Sequence, residues 1–177
     1  MRKPMMYGVM THLHIPHNGN VLMVRKPQKG KDPNSGLCTL PGGKLEPEEK
    51  GLKSLKGRLE AAVRETEQET GLCILNPTLR GTVLFDNNER IFDNWPDAPD
   101  YLVHIVSSNH YSGNLLKKGD GEEIPFWVNQ YNIPHLPQSA GDSLIYDWIR
   151  WHQKPFFGVI KHKGKEIDLE GSFVDFL

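Results

Sequence analysis

Residues 41–45 read Pro-Gly-Gly-Lys-Leu, and residues 64–72 read Arg-Glu-Thr-Glu-Gln-Glu-Thr-Gly-Leu. The first stretch predicts a tight turn, because consecutive glycines adopt backbone conformations that are closed to other residues. The second predicts the end of a helix, with Gly71 as its stop. Glu65 and Glu69 are four residues apart, so a helix places their side chains next to each other on one face. These two stretches decide the fold and the chemistry that we expect.

The helix that contains the second stretch is predicted to run from about Glu48 to Thr70. Its apolar stripe follows three- and four-residue steps and consists of Leu52, Leu55, Leu59, Ala62, Val63 and Thr66. The acidic residues and Arg64 are expected on the opposite side. Gly51 and Gly57 each weaken the helix by roughly 1 kcal/mol, which favours a short helix, a break and a longer helix from about Gly57.

Strand-forming residues dominate the rest of the chain. Strands are predicted at residues 7–15, 21–24, 78–86, 91–92, 101–107, 124–128, 156–160, 166–169 and 173–176, and a second helix at 143–153. The order lacks the regular alternation of a doubly wound fold, so we expect an α/β (α+β) protein with a mixed sheet. We place no domain boundary and predict one domain over residues 1–177.

The composition excludes several classes of protein. The chain has 177 residues and a formal net charge of −1, so a long nucleic acid is not an expected partner. No apolar run approaches ~20 residues, so no membrane span is predicted. The two cysteines, Cys38 and Cys73, make neither a disulfide framework nor a four-ligand zinc site. We expect a cytoplasmic protein that is a monomer or a homodimer.

The pair Glu65 and Glu69 has two interpretations. Carboxylates held this close repel each other, and a divalent cation such as Mg²⁺ or Mn²⁺ removes that repulsion through hard oxygen ligands. The alternative is a solvated acidic helix face, which is the better interpretation of such a pair alone. The Gly-Gly turn before the helix and Gly71 after it favour the metal site here.

The segment from Gly43 to Leu72 resembles the Nudix box of the MutT/Nudix hydrolase family. Its opening matches at residues 41–49, with Glu49 as the first box glutamate, and its close matches at residues 64–72. The chain departs from the family in two ways. The spacer between Glu49 and Arg64 has 14 residues where the family has seven, and Gln68 stands where the family has a glutamate that often binds metal. An amide oxygen carries no charge, so metal affinity should fall.

The resemblance implies an α/β/α sandwich with a mixed, curved β-sheet. It also implies hydrolysis, with Mg²⁺ (Mn²⁺ as a substitute), of a nucleoside diphosphate linked to another group. Glu65, Glu69, Gln68 and the Gly42 carbonyl are the implied metal ligands, and Glu65 is also implied to orient or deprotonate the attacking water.

Three further residues complete this implied site. Arg64 would pair with carboxylates such as Glu49, the alternative being an ordinary surface salt bridge. Family members often take another acidic ligand from a distant loop, and here Glu122 and Glu123 are the candidates. We prefer Glu122 slightly; an ordinary acidic turn is the alternative.

Shorter matches at residues 133–134, 141–143 and 155–158 resemble the enzymes that hydrolyse oxidised purine nucleoside triphosphates such as 8-oxo-dGTP. In that branch an Asp at the position of Asp142 reads the purine edge, although Asp142 has a stronger interpretation as the N-cap of a helix from Ser143. Thr39 stands where the branch has a base-contacting Asn. Arg25 and Lys44 are expected to meet phosphates, Gly43 is a further expected substrate contact, and Trp95 is expected to stack on the base. Lys26, Lys29 and Lys31 are interpreted as solvated.

The sequence therefore predicts a nucleoside triphosphate pyrophosphohydrolase that yields the monophosphate and pyrophosphate. The alternatives are a hydrolase of ADP-ribose or another nucleoside diphosphate derivative, and a weakly active domain that binds or senses a nucleotide. Gln68 and the widened box motivate the last alternative.

Overall fold

The computed structural model describes residues 5–29, 34–45, 54–90, 98–164 and 166–177. Within these ranges the strands are β1 (Met5–Ile15), β2 (Asn20–Arg25), β3 (Cys38–Thr39), β4 (Gly42–Lys44), β5 (Leu72–Leu75), β6 (Thr78–Arg90), β7 (Asp100–Ser108), β8 (His110–Gly113), β9 (Ile124–Asn129), β10 (Phe156–Gly164) and β11 (Glu166–Phe176). The helices are α1 (Leu55–Thr70) and α2 (Ala140–Trp151), with a 3₁₀ turn at Ile133–His135. None of the helices in these ranges has the length and apolar character needed to span a bilayer.

Nine strands form one mixed sheet. Its main order is β11-β10-β6-β7-β1-β2-β3, with β4 paired to β1 and β9 paired to β2. The pairs β1–β7 and β6–β10 are parallel and the other pairs of this sheet are antiparallel. Strands β5 and β8 form a separate ribbon. The expectation of an α+β protein with a mixed, curved sheet is thus confirmed.

The two helices cover opposite faces of the sheet. Ala61 and Ala62 of α1 pack in a cluster with Val106 of β7. Ile145 of α2 packs in a second cluster with Ile105, the neighbour of Val106. Successive side chains of a strand point to opposite faces, so the layers are α1, sheet and α2. This is the three-layer arrangement that the resemblance implies.

Helix α1 begins at Leu55, close to the start at about Gly57 that the glycines favour. Ser54 caps its N-terminus by accepting a hydrogen bond from the Gly57 N–H at 3.1 Å, so Gly57 lies in the first turn. The predicted first part at residues 48–53 lies outside the described residues. Gly71 ends the helix in the left-handed conformation, with φ of 76°, and its N–H donates to the Glu67 carbonyl.

The buried face of α1 agrees with the predicted stripe from Leu59 to Thr66. Ala62 and Thr66 are buried, and Leu59 and Val63 pack against the same cluster, whereas Leu55 is 53% exposed and Glu69 is buried as well. Small residues let the helix approach β1 closely, and the Thr66 hydroxyl donates to the Thr11 hydroxyl at 2.9 Å in the contact. Glu69 therefore points toward the sheet and not, as expected, to the side opposite the buried stripe.

We predict that Gly71→Ala destabilises the protein by about 1 kcal/mol or more. An L-residue is strained at this positive φ, and a Cβ there would overlap the backbone carbonyl of Asn114. Urea unfolding measures the change in free energy. The matched variant Gly57→Ala, in the first turn of the same helix, should instead stabilise by up to roughly 1 kcal/mol. Equal effects of the two substitutions would contradict this account of the helix end.

Candidate active site

The turn between β3 and β4 brings backbone against both β1 and α1. A Cβ at Gly42 would overlap the Val9 carbonyl, and a Cβ at Gly43 would overlap the carboxylate of Glu65. The backbone contact makes glycine a requirement at position 42, whereas a side chain at position 43 would displace the Glu65 carboxylate from the turn. The turn and the acidic part of α1 are therefore in direct contact, as the sequence predicts.

Glu69 is the most buried carboxylate of this region, at 6% exposure. Its Oε2 accepts a hydrogen bond from the Gly42 N–H at 2.9 Å, and its Oε1 lies 3.0 Å from Nζ of Lys26. Burial raises the pKa of Glu69 above its usual value, and Lys26 and the Gly42 N–H only partly oppose this. Nearby Glu123 raises it further. Glu69 thus lies where uncompensated negative charge is costly.

The segment that carries Glu123 is attached to the C-terminal end of α1. The Leu116 N–H donates to the Thr70 carbonyl at 2.9 Å, and the Asp120 N–H donates to the Gln68 carbonyl at 3.3 Å. Carbonyls at a helix end lack partners within the helix, so this segment satisfies them. The loop is thereby fixed beside Glu69.

Glu123, and not Glu122, faces Glu69 across this contact. Glu123 is buried, and its Oε1 lies 3.5 Å from Nζ of Lys26. Its Oε2 is buried and has no hydrogen-bond partner among the described residues. Glu122 is exposed and pairs with Lys29 and Lys118 at 3.1 and 3.2 Å. The geometry therefore reverses the preference for Glu122, because its positive φ of 73° turns the chain between the two residues.

A second group of side chains on α1 consists of Arg64, Glu65 and Gln68. Nη1 of Arg64 lies 2.8 Å from Oε1 of Glu65 and donates to Oε1 of Gln68, also at 2.8 Å. The Glu65 carboxylate rests against Gly43, while Gln68 is exposed. Arg64 thus fixes Glu65 at the turn. The predicted partner of Arg64, Glu49, lies outside the described residues.

A cleft of about 670 Å³ opens from the turn. Its lining includes Lys26, Thr39, Gly42, Gly43 and Lys44. Of the predicted phosphate contacts, Lys44 therefore faces the cleft. Arg25 is exposed and is not among its lining residues.

The wall of the cleft also carries polar and aromatic side chains. Its wall includes Asp142, Phe85, Tyr101 and His162. The Phe85 and His162 rings stack with centroids 6.4 Å apart. The predicted stacking residue Trp95 lies outside the described residues.

Asp142 is not the N-cap of α2, which corrects the sequence interpretation. The cap is Ser139, whose hydroxyl accepts from the Asp142 N–H at 3.1 Å, so Asp142 lies in the first turn. Burial raises the pKa of the Asp142 carboxyl, while hydrogen bonds from Thr39 and Ser139 act in the opposite direction. The predicted base-reading position and Thr39 are thus joined in one hydrogen-bonded group on the cleft wall.

Lys26 is a site residue that was not predicted from the sequence, although the pattern of buried residues in β2 indicates where its side chain lies. Leu22 packs in the α1-side cluster, whereas Val21 and Met23 pack in the α2-side cluster. Continuing this alternation places Lys26 on the side of α1 and Arg25 on the other. Burial lowers the pKa of Lys26, but Glu69 and Glu123 outweigh that effect and the net pKa is raised.

The donor set fits a hard divalent cation. Glu65, Glu69 and Glu123 supply carboxylate oxygens around the turn, and carboxylates are preferred ligands of Mg²⁺ and Mn²⁺. The buried, unpartnered Oε2 of Glu123 supports this fit, because burying an ionised oxygen without a partner is costly. The part that the Gly42 carbonyl would take stays a prediction.

Known structures share this fold. The crystal structure of the mutator MutT protein from Bacillus halodurans has a TM-score of 0.74 and 23% identity, covering 96% of this chain and 97% of that chain. The NUDIX domain of Shewanella oneidensis NrtR, solved with ADP ribose, has a TM-score of 0.62 and 17% identity, covering 84% of this chain and 88% of that one.

Sequence comparison places the chain in a family. The uncharacterized Nudix hydrolase YvcI of Bacillus subtilis (strain 168) is 25% identical over 142 residues, which are 79% of this chain and 77% of that protein. The NUDIX domain family matches residues 10–149, which is most of the chain. This chain therefore belongs to the NUDIX domain family and is a Nudix hydrolase.

Proposed function

We propose that this chain hydrolyses a purine nucleoside triphosphate to the monophosphate and pyrophosphate in a reaction that depends on Mg²⁺, or on Mn²⁺ as a substitute. Triphosphates with an oxidised purine, such as 8-oxo-dGTP, are included in this class. The observation that carries the proposal is the contact of Glu65 and Glu69 with the Gly42-Gly43 turn, which lines a cleft, together with the shared contact of Glu69 and Glu123 with Lys26.

The acidic group at the turn would hold the cation. Glu69, Glu123 and Glu65 are the proposed ligands, and Gln68 lies at the exposed edge of the group. When bound, the cation neutralises phosphate oxygens and lowers the pKa of water. Among the protein groups, Glu65 would activate the attacking water, because its carboxylate lies at the turn. Nη1 of Arg64, 2.8 Å from Oε1 of Glu65, holds it there.

The cleft would orient the nucleotide along its length. Lys44 and the backbone of Gly43 lie beside the acidic group and are placed to meet phosphates. Phe85 supplies an aromatic face further along the cleft, where the ring of a base can stack. Asp142, held by Thr39 and Ser139, offers carboxyl oxygens to donors on a purine edge.

A second candidate is hydrolysis of a nucleoside diphosphate derivative such as ADP-ribose. The volume of the cleft, about 670 Å³, favours it, and the lining includes Glu166 and Ile167 of β11 as well as Lys26 and Gly43. A second sugar or another substituent beyond the diphosphate would use that room. Phosphate and pyrophosphate release from a panel of both compound classes, with Mg²⁺ and with Mn²⁺, decides between the two candidates.

We predict that Glu69→Gln lowers kcat by at least about a hundredfold with the best substrate of that panel. The substitution keeps the shape of the side chain but removes the buried charge that would bind the cation. The exposed Glu67→Gln on the same helix is the matched control and should retain full activity. Nucleotide binding without turnover by the wild type would instead favour the sensing domain.

A second pair of variants separates the two acidic residues of the loop. We predict that Glu123→Gln raises the Mg²⁺ concentration for half-maximal activity about tenfold, since it removes one buried ligand charge. Glu122→Gln, whose carboxylate pairs with exposed lysines, should leave the Mg²⁺ dependence unchanged. A larger effect of Glu122→Gln than of Glu123→Gln would contradict the proposed ligand set.

A third prediction concerns the base. Asp142→Asn should raise KM for purine nucleotides about tenfold, because one acceptor oxygen of the carboxyl is replaced by a donor. The metal dependence should not change. Asp147→Asn on the exposed side of α2 is the control. Equal changes of KM for purine and pyrimidine nucleotides would show that Asp142 does not read the base.

A further inference from the structure

We propose that the ammonium group of Lys26 occupies the cation position between Glu69 and Glu123 in the metal-free protein, and that it must leave before a divalent cation can bind there. This inference rests on the proposed function only in that the same two carboxylates are the proposed metal ligands. It makes Lys26 a positioning residue that sets how tightly the site takes its metal.

The geometry shows one cation shared by two buried carboxylates. Nζ of Lys26 lies 3.0 Å from Oε1 of Glu69 and 3.5 Å from Oε1 of Glu123. The side chains of Glu69 and Glu123 are only 8% and 11% exposed. Two buried negative charges this close to each other need a positive charge between them. In this state Lys26 provides that charge.

The compensation by Lys26 is incomplete. One positive charge faces two negative charges, and the buried Oε2 of Glu123 receives no hydrogen bond from any described residue. Oε2 of Glu69 is bound by the Gly42 N–H. A divalent ion supplies the missing charge and accepts the unpartnered oxygen as a ligand, so the carboxylates favour it over the ammonium.

Within the part of the chain that the structure describes, no three histidine, cysteine or acidic side chains converge closely enough to hold a metal ion. The inference therefore rests on the pair of Glu69 and Glu123, with the ammonium of Lys26 in contact with both.

Lys26 is able to leave because of its surroundings. Its side chain is 26% exposed, and it lines the cleft next to Gly42. A flexible four-carbon stem lets the ammonium turn into the cleft without movement of β2. The ammonium of Lys26 and a metal ion would thus compete for the same position between Glu69 and Glu123.

The test measures Mn²⁺ affinity by calorimetry at constant pH, without nucleotide, so that it does not depend on activity. Lys26→Met should bind Mn²⁺ about tenfold more tightly or better, since it removes the competing charge but keeps the apolar stem. Lys26→Arg, which keeps a cation there, should bind close to the wild-type affinity. Lys29→Met is the matched control, because it also removes one charge near the loop but from the exposed pair with Glu122. Its affinity should not change.

Thermal unfolding supplies an independent readout. In chelator, Lys26→Met should unfold at a lower temperature than the wild type, because Glu69 and Glu123 then repel each other without a cation. Saturating Mn²⁺ should raise the Tm of Lys26→Met by more than it raises that of the wild type. This measurement also confirms that the variant is folded.

Two outcomes would overturn the proposal. One is a Lys26→Met variant that binds Mn²⁺ no better than the wild type, while Glu69→Gln and Glu123→Gln lose binding. The other is equal tightening by Lys29→Met, which would assign the effect to net charge alone. Failure of the proposed function is a separate result: a wild type that hydrolyses no nucleotide overturns that function, but tighter Mn²⁺ binding by Lys26→Met would still support the role of Lys26.

Discussion

The site depends on the contact between the turn at residues 42–43 and helix α1, which leaves no room for a side chain on the turn. Gly42 approaches the backbone of β1, and Gly43 approaches the carboxylate of Glu65. The same turn donates its Gly42 N–H to Glu69 at 2.9 Å. Because the turn is fixed to the sheet through β1 and β4, this contact sets the position of two carboxylates relative to the cleft.

Charge balance is the second constraint on the site. Glu69 and Glu123 are buried next to each other, and burial raises the pKa of Glu69. The Gly42 N–H and Lys26 reduce that cost without removing it, as the unpartnered oxygen of Glu123 shows for the described residues. A hydrophobic pair would fill the same space more cheaply. Retaining two carboxylates there is physically sensible if the site is built to take up a cation.

The sequence predicted the parts of the structure that depend on local pattern. Gly42, Gly43 and Gly71 predicted a turn and a helix end, and both are present because glycine at these places answers a backbone requirement. The four-residue spacing of Glu65 and Glu69 predicted that their side chains are neighbours, because residues at this spacing are neighbours on any α-helix. The mixed sheet followed from the order of strands and helices, and it too is confirmed.

The errors concern features that depend on tertiary contacts. The stripe from Leu59 to Thr66 predicted the buried face, but Leu55 is exposed and Glu69 is buried, because the contact of α1 with β1 and the turn decides what the two ends of the helix meet. Glu122 and Glu123 are adjacent in sequence, and only the backbone turn at Glu122 decides which of them faces inward. Asp142 was placed at a helix cap because the true cap, Ser139, lies outside the apolar pattern of α2.

Lys26 combines both kinds of information. The alternation of side chains along β2, continued by one residue, places Lys26 on the side of α1. This much can be inferred from the sequence. That it meets Glu69, 43 residues away, follows only from the packing of α1 and the loop before β9 against the end of β2. A lysine in a polar loop is ordinarily solvated, but here three elements converge on its ammonium. The proposed role of Lys26 therefore depends on tertiary contacts. These contacts form because the glycine turn lets α1 pack close to the end of β2.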